Sequence, residues 1–88
     1  MNTEEIIKLA HAEWLENHDG KKAESLLIQA VNLGSGHAAH ELGILYGTGC
    51  NNLQPDKQKS LYWLNKSLES GFEKSIASDP EWFKNNAN

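Results

Sequence analysis

Apolar residues recur along most of this chain at intervals of three and four, the spacing that gathers them on one side of a helix. From Glu4 to Asn17, Ile7, Ala10, Trp14 and Leu15 form one stripe with Ile6 beside it, while Lys8, Glu13 and Glu16 fall largely off it. Asn2 or Thr3 can cap the start, and Glu4 and Glu5 suit the positive end of the helix dipole. Asn17, His18, Asp19 and Gly20 read as a turn, with Gly20 available for a left-handed backbone position. A second helix is predicted from about Lys21 to Leu33, with Ala23, Leu27, Ala30 and Val31 on one face, flanked by Leu26 and Leu33. Gly34, Ser35 and Gly36 end it. The third, from His37 to about Tyr46, carries Ala38, Leu42, Leu45 and Tyr46 at helical spacing.

The run from Gly47 to Pro55 is too rich in turn formers for helix or strand. A fourth helix is predicted from near Asp56 to Ser70, with Leu61, Leu64 and Leu68 on one side and Gly71 at its end. In the tail, Asp79 followed by Pro80 is a helix start signal, predicting a closing helix over about 79–86 that lays Trp82 or Phe83 over the last hairpin. No segment alternates apolar and polar residues over a sustained length. The expected class is all-α in one domain spanning 1–88: hairpin one over about 4–34, hairpin two over about 36–71, then the capping helix.

The two hairpins also match each other. A shift of 37 positions lays Ala23 on Ser60, Leu27 on Leu64, Ala30 on Ser67, Val31 on Leu68 and Gly34 on Gly71, with Ala38 on Ser75 beyond them. Small residues thus recur where two helices need to approach closely, and large ones where a gap needs filling. The first and third helices align in a similar sense, Trp14 with Tyr46 and His11 with Gly43.

The stretch from Gly34 to Gly49, with Leu42-Gly43 and Tyr46, and its continuation from Asp56 through Ser60, Trp63 and Ser67 to Gly71, resemble a Sel-one-like repeat, the long-loop relative of the tetratricopeptide repeat. The likeness is closest over about Ala38 to Gly71 and looser over residues 4 to 34. It departs from the pattern at Ser60 and Ser67, where alanine is usual, and at His11, where a small residue is usual. The resemblance implies a short α/α superhelix of about two repeats plus the capping helix. Gly43 would then allow close helix packing, Tyr46 and Trp63 would fill the wedge between hairpins, and Gly49 and Asp56 would shape the loop and cap the next helix.

Composition narrows the function. At 39% apolar, 88 residues can bury only a thin core, within which three tryptophans serve as heavy anchors or contact residues. Twelve carboxylates stand against eight lysines, scattered through the chain, and there is no arginine, which argues against nucleic acid as a partner. A lone Cys50 forms no internal disulfide, and the polar, acidic opening and the lack of a long apolar run predict a cytoplasmic chain that does not meet a membrane.

Chemistry-bearing constellations are sparse. His37 and His40 lie three apart on one helix, compatible with two metal ligands, but a third would have to come from Cys50 or His11. Cys50 with either histidine is the alternative of another class, a small thiol or metal-dependent enzyme. Gly43, Gly47 and Gly49 lack the following lysine and preceding strand of a phosphate loop. The expectation is therefore no catalytic residue, no metal and no cofactor.

In the family resembled, the first helix of each hairpin lines a concave surface where partners bind. Carried over, that surface comprises Glu5, Lys8, Ala12, Leu15 and Glu16 from hairpin one and His37, His40, Ile44 and Thr48 from hairpin two. The expected function is a protein–protein interaction module or adaptor that binds another protein or peptide there. The alternative is a small immunity or inhibitor protein that neutralises a toxin or enzyme by binding it. Self-association through the open ends of a short stack is a further expectation.

Overall fold

The computed structural model describes residues 2–72. Among the described residues four α-helices form: α1 (Thr3–His11), α2 (Gly20–Asn32), α3 (Gly36–Thr48) and α4 (Lys57–Glu69), with α1 running on into a π-helical turn at Ala12–Glu16. The first helix packs on the second, the second on the third, and the third most extensively on the fourth. Among the described residues no β-strand forms; Cys50 and Leu53 make a single antiparallel bridge. The capping helix expected at 79–86, with Trp82 and Phe83, lies outside the described residues.

Each helix start is written locally. The side chains of Asn2, Asp19, Ser35 and Asp56 accept from the backbone N–H of Glu5, Lys22, Ala38 and Lys59, satisfying donors that the helix itself cannot. At Asn2 the cap is reciprocal, since the Glu5 carboxylate reaches back to the Asn2 N–H. Gly34 and Gly71, at φ +97° and +87°, turn the chain beyond α2 and α4, where a side chain would be strained.

The core is the union of the facing stripes. Ile6, Ile7 and Ala10 of α1, Ala23, Leu27 and Ala30 of α2, and Ala38, Leu42, Leu45 and Tyr46 of α3 are all buried. Trp14, Leu26, Val31 and Trp63 pack against them, partly covered. Burying a leucine of this kind is worth about 1.5–3 kcal/mol.

Several details differ from the pattern. The buried face of α4 is Ser60, Leu64 and Ser67 rather than Leu61, Leu64 and Leu68; Leu61 is half-buried and Leu68 is 37% exposed. The reason is backbone proximity. A Cβ on Gly43 would lie 2.5 Å from Leu64 Cγ and 3.2 Å from its backbone nitrogen, so α3 and α4 meet through their smallest residues. His11, aligned with Gly43 by sequence, does not repeat that contact and instead reaches α3.

Leu15 leaves the stripe as well. The wider π turn, closed by Asn17 N–H donating to Ala12 O at 3.1 Å, shifts the phase of the helix and leaves Leu15 65% exposed. In the following turn the left-handed position belongs to His18 (φ 54°), not Gly20. Gly20 opens α2, where a Cβ would fall 2.6 Å from Cys50 Cβ and 2.8 Å from Leu53 Cβ. Its missing side chain therefore seats the long loop against α2. Asn52 fastens that contact, accepting from Lys21 N–H (3.1 Å) and donating to Asp19 Oδ1 (2.9 Å). Finally, α3 begins at Gly36 and runs to Thr48, slightly longer at both ends than the spacing suggested.

Candidate functional site between the first and third helices

The described polar chemistry concentrates where side chains of α1 and α3 reach each other. Glu41, on α3, sits at its centre with a side chain only 14% exposed. One carboxylate oxygen is 3.2 Å from His11 Nε2 of α1, and the other is 3.2 Å from His37 Nε2, one turn earlier on α3. His37 Nδ1 in turn lies 3.1 Å from Glu4 Oε2 of α1. The result is a chain of alternating carboxylate and imidazole groups, His11–Glu41–His37–Glu4, that crosses between the two helices twice.

His40 completes the group without joining the chain. Its residue is 9% exposed, and neither ring nitrogen has a hydrogen-bond partner. Nδ1 points toward Glu41 Oε1 at 3.9 Å, too far for a hydrogen bond. Burial holds its pKa below the ordinary imidazole value; the nearby Glu41 carboxylate pulls the other way and His37 adds to the lowering. Neutral His40 therefore offers one acceptor and one donor nitrogen. Phe72 closes this end, its ring stacked on His37 at 5.1 Å and tilted against His40 at 5.2 Å.

The residues expected on the partner surface are distributed as follows. His37 and His40 come together against Phe72 and Glu41, with His40 buried rather than lining an open groove. Lys8, Leu15 and Glu16 are exposed and Ala12 half-buried on α1 and its π extension; Ile44 is half-buried on α3. Glu5 is occupied in the capping box at the start of α1, and the Thr48 hydroxyl donates to Ile44 O at 3.1 Å.

Sequence reasoning missed Glu41 and Phe72, the two groups that organise the cluster. Glu41 stands four residues after His37, a spacing that puts both on one helix face and could have flagged it. Nothing local marks Phe72. A further pairing missed from sequence ties α2 to α3: the buried Tyr46 hydroxyl donates to Glu24 Oε2 at 2.5 Å. Burial first, and the Glu24 carboxylate second, push the Tyr46 phenol well above its usual range.

Cys50 is removed from this cluster. It is half-buried in the loop, bridged to Leu53, with Sγ 3.9 Å from Trp14 O. Among the described residues, no three or more His, Cys, Asp or Glu side chains are placed to hold a metal ion together. No described helix is long and apolar enough to cross a membrane. No protein-family model, curated protein or solved structure matches this chain.

Proposed function

We propose that this chain is a protein–protein interaction module that docks a partner protein or peptide on the outer side of α1 and α3, the two hairpins being successive Sel-one-like repeats of a short superhelix. The observation that carries the reading is the pairing of His11 with Glu41 and of Glu4 with His37. These side-chain pairs bridge α1 and α3, which supports reading the residues beside them on both helices as one surface. On that surface Leu15 is 65% exposed next to half-buried Ala12, with half-buried Ile44 on the other helix. A small apolar centre within a charged rim is the usual anatomy of a modest interface.

The repeat reading is supported by burial at matched positions. Ala23 and Ser60, Leu27 and Leu64, and Ala30 and Ser67 are all 0–1% exposed, pair by pair, at the shift of 37.

The test is affinity capture with the wild-type chain and with Leu15→Asp and Ile44→Asp, each variant checked for helicity by circular dichroism. A stoichiometric partner that both folded variants lose supports the reading. A partner that both retain places binding elsewhere on the molecule.

A further inference from the structure

We propose that copies of this chain stack head to tail, α1 of one copy seating on α4 of the next as α3 seats on α2 within a single copy. The proposal rests on the repeat reading above and commits to a second copy as the occupant of the two end faces.

The chain carries its own template for this junction. Glu24 of α2 accepts from the Tyr46 hydroxyl of α3, and Val31 of α2 packs against the shared core. Leu42 of α3 is fully buried in that core with Leu27 and Ala30 of α2. At the offset of 37, Leu61 and Leu68 of α4 stand where Glu24 and Val31 stand on α2. Leu61 is only half-buried and Leu68 is 37% exposed, and the described residues hold no helix after α4.

The face of α1 is the complement. Glu4 pairs with His37 of α3, a structural offset of 33, one more than the match of Trp14 with Tyr46. At that offset the buried Ile6, Ile7 and Ala10 fall on the buried Ala39, His40 and Gly43. Leu9 falls on Leu42, yet Leu42 is 0% exposed and Leu9 is 45% exposed. Leu42 has α2 beside it, whereas the described residues hold no helix before α1. Past the π turn, whose wider winding takes up one extra residue, the offset returns to 32 and Trp14 falls on Tyr46. In the stack the half-buried Trp14 is matched with Leu61 as Tyr46 is with Glu24, an apolar pair in place of a hydrogen-bonded one.

Charge selects the union of unlike ends. Glu5 and Glu16 are exposed on α1 and its π extension, and Lys57 is exposed at the start of α4. None of the three makes an ion pair among the described residues. Lys57 takes the place of Gly20, where a Cβ would lie 2.6 Å from Cys50 Cβ in the long loop after α3. Only the short turn at 17–19 follows α1, so room remains for a lysine there. Glu16 falls on Thr48, just ahead of Cys50, which brings its carboxylate toward the Lys57 ammonium of the next copy. Two α1 faces meeting would oppose carboxylates instead. A contact between unlike faces does not close on itself, so the assembly is open-ended.

Sedimentation velocity of the full chain from about 5 to about 500 μM, at about 20 and about 200 mM salt, reads the assembly. The average mass should rise past the dimer without a plateau and fall at the higher salt. Leu9→Asp and Leu68→Asp, both at exposed positions and checked for helicity by circular dichroism, should each leave a monomer. Mixed together they should form a one-to-one dimer, because each keeps the face that the other has lost. Lys57→Glu should weaken association by about threefold, and adding Glu16→Lys to the same chain should restore it. A chain that stays monomeric throughout overturns the proposal, and a larger loss of thermal midpoint in Leu68→Asp than in Leu9→Asp would then mark the α4 face as covered within one copy. A mass that stops at the dimer, with no dimer from the mixture, marks a like-to-like contact and overturns it as well. Failed assembly while Leu15→Asp still abolishes partner capture removes the stacking and leaves the interaction module standing. Assembly that survives Leu15→Asp and Ile44→Asp, with a captured partner that ignores both, removes the docking surface instead.

Discussion

Ser60 Oγ donates to the backbone carbonyl of Gly43 at 2.7 Å across the interface between α4 and α3. Seven residues along each helix the contact recurs, with Ser67 Oγ donating to Gly36 O at 3.0 Å. Hydroxyls thus replace the methyl groups that alanines would present to the neighbouring helix at these buried positions. Leu64 lies between the two serines, against Gly43, so two hydrogen bonds and one leucine fix the register of the hairpin.

Enlarging Gly43 should therefore cost more than removing the hydroxyl opposite it. Gly43→Ala forces α4 away from α3, a destabilisation of about 1–3 kcal/mol that exceeds the alanine's gain in helix propensity. Ser60→Ala forfeits one hydrogen bond, about 1 kcal/mol. Urea denaturation measures both, and the double variant should be non-additive because the residues touch.

Stability should fall as the solution is made acidic because of His40. Burial lowers its pKa in the native chain, so the unfolded chain binds the proton first. This contribution is complete above the ordinary value of 6.5 and is lost as pH falls from there toward the lowered native value. His40→Phe should flatten the part of the profile that lies below the ordinary imidazole value relative to wild type. Parallel profiles for the two proteins would show that His40 does not protonate in this way.

The Tyr46–Glu24 bond should behave as a partly buried, charge-assisted contact. Tyr46→Phe leaves the Glu24 carboxylate short of a donor and should cost about 1.5–3 kcal/mol in urea. In an alkaline titration followed by ultraviolet absorbance, the Tyr46 phenol should stay protonated beyond the ordinary value of 10.0 until the chain unfolds.

Asp19 links the cap of α2 to the long loop, because its carboxylate accepts from both Lys22 N–H and Asn52 Nδ2. Those bonds, Asn52 first, hold its pKa below the carboxylate norm, so its contribution is present above that norm and is lost as pH falls through the lowered value. Asn52→Ala should lower the thermal midpoint and speed hydrogen exchange at Lys21 N–H, whose acceptor it removes.

The sequence by itself determined where the helices run. Asn2, Asp19 and Asp56 stand where the periodic segments begin, Gly34 and Gly71 follow where they end, and the apolar stripes of the first three helices name most of their own buried faces. These signals are local, carried by hydrogen bonds and side-chain spacing within a few residues, and so can be read without knowing what lies across the core. Tertiary structure decided how the faces meet. The rotation that buries Ser60 and Ser67 in preference to Leu61 and Leu68 depends on glycines a loop away, and the exposure of Leu15 depends on a π turn that helical spacing does not announce. The candidate site belongs to the same class. His37 and His40 were visible as neighbours on one helix, but Glu41 becomes a centre only when α1 brings His11 from thirty residues away, and His40 loses its solvent only when Phe72 arrives from beyond α4. Periodicity fixes the angle of a side chain about its own helix axis; the partner it meets is set by the packing of the other helices.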